Sequence, residues 1–83
     1  MSRRQELVGT IRSITYPGAT LRPRVTMQLE TDKGFLVLYF MSRTNIECLD
    51  IGSKVRVSGA VTRHRGVPTM FNPTFTVLED DDV

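Results

Sequence analysis

In the stretch RHRGVPTMFNPTF (63–75), two arginines and the single histidine of the chain stand on a Gly-Pro segment that leads directly into an apolar, aromatic-bearing run. Reversing the chain there needs Gly66 and Pro68, but none of Arg63, His64 and Arg65. A second pair, Arg22 and Arg24, flanks Pro23 in YPGATLRPR (16–24). Lys33 and Lys54 are the only lysines among eleven cations; the rest are arginine. Arginine's planar fork matches phosphate and stacks on bases, where lysine acts as a point charge. These residues suit recognition of an anion. Solvated turn charges kept for solubility are the competing reading.

Charge is unevenly placed along the 83 residues. The net charge is +2, but Glu79, Asp80, Asp81 and Asp82 crowd one end, and residues 1–78 carry eleven Lys and Arg against five Asp and Glu, a balance of +6. Catalytic sets are missing from the pattern. No Ser–His–Asp or Cys–His grouping is suggested, and paired carboxylates occur only in the acidic tail. His64 has no companions of metal-ligand type, so neither an enzyme, a metal nor a cofactor is expected. One cysteine, Cys48, forbids an internal disulfide and reads as a small core residue. The longest apolar run, FLVLYFM (35–41), is far short of the ~20 residues that span a bilayer. MSRRQELVG (1–9) lacks the apolar stretch of a signal peptide, which makes the cytoplasm the default compartment.

Five extended segments position these residues, near 6–16, 23–31, 35–41, 53–63 and 69–78. RVTMQLET (24–31) and SKVRVSGAVTR (53–63) alternate apolar and polar positions, as half-buried strands do. Ile14 falls out of phase with Leu7, Gly9 and Ile11, which predicts a bulge after Ile11. DKG (32–34) reads as a hairpin turn with Gly34 at positive φ. Pro73 removes a donor from the last strand and predicts an edge or a bulge. Thr44 and Glu47 have capping-box spacing, and SRTNIECLDIG (42–52) reads as one or two helical turns. The predicted core is Leu7, Ile11, Val25, Met27, Leu29, Leu36, Leu38, Phe40, Val55, Val57, Val61, Phe75 and Val77.

That order is all-β: a five-stranded OB-fold Greek-key barrel with a short helix between strands three and four, ahead of an SH3-like barrel, which usually lacks that helix. Domain boundaries follow as a flexible N-terminus (1–5), a single OB domain (6–78) and an acidic disordered tail (79–83). The pieces VGTIRSI (8–14), DKGFLVLYF (32–40) and DIGSKVRVSGAVTRHRGVPTMFNP (50–73) together resemble the OB-fold nucleic-acid-binding domain of the tRNA-anticodon-binding and RecG-wedge type. The likeness covers about residues 6–78 and extends to small free-standing OB proteins of some bacteria. It implies a binder of single-stranded or structured nucleic acid, with single-stranded DNA or RNA preferred. No GxxxxGK[ST] motif occurs, so no helicase motor lies within these residues.

In OB domains the ligand lies across strands two and three, between the loops joining strands one to two and four to five. If Leu36, Leu38 and Phe40 point inward, then Phe35, Val37 and Tyr39 face out beside Arg24, Thr26 and Gln28. Rings beside arginines provide sequence-tolerant stacking, and Arg22 and Arg24 form one basic jaw while Arg63, His64 and Arg65 form the other. A protein-interaction module built on the same barrel is the alternative, with Phe35, Val37 and Tyr39 as its docking patch. The acidic tail is either a solvated end or a competitor for the basic cleft.

Overall fold

A computed structural model of the chain describes residues 4–19, 21–41, 46 and 48–78. Among them are six strands: β1 (Arg4–Thr15), β2 (Arg24–Thr31), β3 (Gly34–Met41), β4 (Lys54–His64), β5 (Val67–Phe71) and β6 (Thr74–Leu78). None of the described residues forms a helix long and apolar enough to cross a membrane.

The alternation of β2 settles the faces of β3, which sequence period leaves open. The hairpin register Val25↔Phe40, Met27↔Leu38 and Leu29↔Leu36 joins two inward rows, all buried. Thr26↔Tyr39, Gln28↔Val37 and Glu30↔Phe35 form the outward rows. A one-residue slip of β2 would bury Arg24, Gln28 and Glu30 and expose Val25, Met27 and Leu29, each contributing about 1.5–3 kcal/mol when buried, so the register is locked. The turn is Asp32–Lys33, and Gly34 follows at φ +112°, as predicted.

β1 closes the structure. It pairs with β4 over Arg4–Thr10 and with β2 over Gly9–Thr15, so Gly9 faces Val55 on one side and Thr31 on the other. A Cβ there would lie 2.4 Å from the Glu30 carbonyl oxygen and 2.8 Å from Leu29 Cγ; only glycine lets the strand change partners so closely. The predicted bulge falls between Ile11 and Ser13. Arg12 is its extra residue, and its Nε donates to Glu30 Oε1 at 2.6 Å on the exposed surface. The order β1-β2-β3-β5-β4, with β4 returning to β1, makes a closed ring of five strands.

The single last strand expected over 69–78 is instead two. Asn72 adopts φ +51° and Pro73 carries no N–H, so the chain kinks between β5 and β6. β5 fits between β3 (parallel) and β4, while β6 continues along β4 with Val57↔Phe75 and Lys54↔Leu78. The kink breaks the alternation: Val77, predicted inside, is 39% exposed, and Met70 is fully buried in its stead. Ile46 and Leu49 also join the core, whereas Leu7, Ile14, Val61 and Phe75 pack at its margin.

The helix expected over 42–52 needs correcting where it can be seen. Cys48 has φ +77°, which no right-handed helix contains, and 50–53 is a turn held by Ser53 N donating to the Asp50 carbonyl. Cys48 itself is exposed rather than in the core. Residues 42–45 and 47, the first residues 1–3 and the acidic tail 79–83 lie outside the described residues.

Candidate functional site

The outward rows of β2, β3, β4 and β5 make one continuous surface. Tyr39 is its hub. Thr26 opposes it on β2 and Phe71 opposes it on β5, because parallel pairing keeps Tyr39 and Phe71 on the same face. The two rings lie 5.1 Å apart, tilted by 31°. The Arg24 guanidinium carbon lies 4.5 Å from the centre of the Tyr39 ring. His64 stands edge-on to both rings, 5.7 Å from each. Contacts of these kinds stabilise by about 0.5–1.5 kcal/mol each, so the cluster holds its shape before any ligand arrives.

Asn72 pins β5 to β3 beneath this cluster. Its N–H donates to the Tyr39 carbonyl at 2.7 Å, and its side-chain Oδ1 accepts from Met41 N at 2.8 Å. Thr69, buried to 1%, satisfies its hydroxyl on the Val67 carbonyl. Phe71 thereby keeps a fixed orientation while remaining 42% exposed.

The basic loop read over 63–68 is a two-residue hairpin. β4 runs to His64 and β5 starts at Val67, with Arg65 at φ +55° and Gly66 at φ +80° between them. Two positive φ values define a type I′ turn, whose twist matches the flanking strands. Pro68 is part of β5, not of the turn. Strand alternation sends Arg63 to the face opposite His64, and its Nη1 donates to the Gly66 carbonyl at 3.0 Å. Arg63 therefore braces the turn, and His64 with Arg65 is what the turn presents.

Arg22 and Arg24 line a groove of about 380 Å³ together with Thr15, Tyr16, Pro17 and Thr26. It opens beside the hub. Phe35 lies elsewhere: four residues along β3, about 13 Å from Tyr39, it flanks a notch of about 130 Å³ with Leu7, Leu36, Val61 and Pro68. The structure thus gathers Arg24, Thr26, Tyr39 and His64, places Gln28 and Val37 on the same face, keeps Arg22 and Arg65 at its margins and separates Phe35 and Arg63. Sequence reasoning missed Phe71 and Tyr16. Asn72-Pro73 marks a turn after Phe71, a signal that the alternation expected of one long strand would fail there. No protein-family model and no curated protein matches the chain.

Proposed function

We propose that the closed ring is an OB-type barrel that binds nucleic acid without catalysis, preferring single-stranded DNA or RNA, through the outward face of β2, β3 and β5. The observation that carries this reading is the column Phe71–Tyr39–Arg24, ring, ring and guanidinium on three adjacent strands, with His64 against its edge. Planar groups beside cations suit unpaired bases, each stacked base being worth about 1–3 kcal/mol, and phosphates suit the arginine forks. Fluorescence anisotropy with labelled single-stranded DNA, RNA and duplex tests it. Affinity for a single strand is expected to fall with salt at a log–log slope of about −0.7 per phosphate neutralised. Absence of binding at low salt to all three probes sinks the proposal and favours a protein-docking module, for which the notch beside the 52% exposed Phe35 is the supporting feature.

Arg65 offers a separate handle. A type I′ turn favours Asn-Gly, and a side chain as long as arginine gains nothing from the left-handed region it occupies at φ +55°. Arg65→Asn should therefore melt at the same temperature or higher while binding single strands more weakly and with a flatter salt slope. Unchanged affinity and slope would remove Arg65 from the interface.

A further inference from the structure

β2 and β5 flank β3 on opposite sides, so Arg24 and Phe71 approach the Tyr39 ring from opposite directions. Tyr39, the expected stacking platform, is itself half-buried inside the column. His64 stands edge-on to Phe71 and Tyr39. Among the described residues, Arg24 makes no salt bridge, and the ring its guanidinium lies over is that of Tyr39. The groove of about 380 Å³ borders Arg24, and Thr15 and Thr26, the last pair of the β1–β2 ladder, line it. Tyr16, 51% exposed just beyond the end of β1, also lines it.

We infer, building on the nucleic-acid reading above, that this groove is a slot for one unpaired nucleobase, stacked between the Arg24 guanidinium and the Tyr16 ring. A guanidinium already held over the Tyr39 ring, 4.5 Å from its centre, has lost part of its freedom before the base arrives, so stacking costs less further ordering. Its charge is attracted to the π face of a base, while its N–H edge stays free for a phosphate. Volume agrees with this assignment. Small-molecule sites begin at about 300 Å³, which the groove meets and the notch of about 130 Å³ beside Phe35 does not. The threonine hydroxyls donate and accept alike, so the slot takes any base.

The test is anisotropy with fluorescein-labelled oligothymidylate and oligouridylate across a salt series. Tyr16→Ala is expected to weaken binding by about five- to 150-fold with the salt slope unchanged, because a stacked ring is lost and no cation is. Arg24→Lys, which keeps the charge and loses the plane, should weaken binding in the same way. Tyr16 is exposed and outside the strands, and thermal melts of both variants confirm folding. A second readout is independent of affinity. The chain has two tyrosines and no tryptophan, so in Tyr39→Phe the emission of Tyr16 stands alone, and the oligonucleotide should quench it in step with the anisotropy. If the native protein binds but Tyr16→Ala binds equally well and the emission does not change, the slot is overturned and the interface stands. If the native protein binds neither probe at low salt, the interface falls and the slot with it.

Discussion

Gly9→Ala is expected to lower the melting temperature by on the order of 10–20 °C. The added Cβ would meet a backbone oxygen, Glu30 O, at 2.4 Å, and a carbonyl locked in the β1–β2 ladder has no rotamer by which to withdraw. Either β1 moves away from β2 or the ladder breaks near Thr31, and in both cases the ring opens at the strand that closes it. Overpacking of this kind costs about 3 kcal/mol at the upper end of its usual range, and a domain of this size loses about 4–8 °C per kcal/mol. Gly18→Ala is the control, since a Cβ there has nothing within 4 Å and the residue has no positive φ. It should melt within about 3 °C of the native chain. Equal melting temperatures for the two variants would mean that β1 does not approach β2 as described.

Tyr39→Ala carries the second largest effect, and it acts on binding and stability together. Truncation removes the ring to which Arg24, Phe71 and His64 are fitted, so the guanidinium loses its support and Phe71 a ring neighbour. Single-strand binding should weaken by about 1–3 kcal/mol, with the salt slope nearly unchanged because every cation remains. Melting should fall by at least about 6–12 °C, from the loss of three contacts worth at least about 0.5 kcal/mol each. Tyr39→Phe preserves the column and should retain most of both properties. A Tyr39→Ala protein that is folded at the assay temperature and binds normally would show that the ligand does not use this face.

Opposite signs make the set of variants informative. Arg65→Asn separates stability from binding, because the strain at φ +55° belongs to the turn while the charge is the part proposed to meet the ligand. Tyr39→Ala lowers both, and Tyr16→Ala lowers binding alone. A general loss of folding cannot reproduce that pattern, since it would lower the apparent affinity of each variant in proportion to its melting.

Much of the framework is written in local order. Val25, Met27 and Leu29 alternate with Arg24, Thr26, Gln28 and Glu30, and period two is all that is needed to choose which face of a strand is dry. The phase slip at Ile14 likewise marked the bulge, because one extra residue must invert the alternation. Three things came only with tertiary structure. Pro73 signalled an irregularity, but not that the kink there would turn Val77 out and Met70 in, since a strand that changes position against its neighbours resets its own inside and outside. Cys48 at positive φ and the turn at 50–53 exclude helix there, where a capping-box spacing had suggested it, as side-chain spacing does not report a backbone angle. The cluster itself joins residues from four strands, with Phe71 reaching Tyr39 only because β5 runs parallel to β3 and in register with it. A pairing across thirty-two positions leaves no period in the sequence, and closure of the ring decided it.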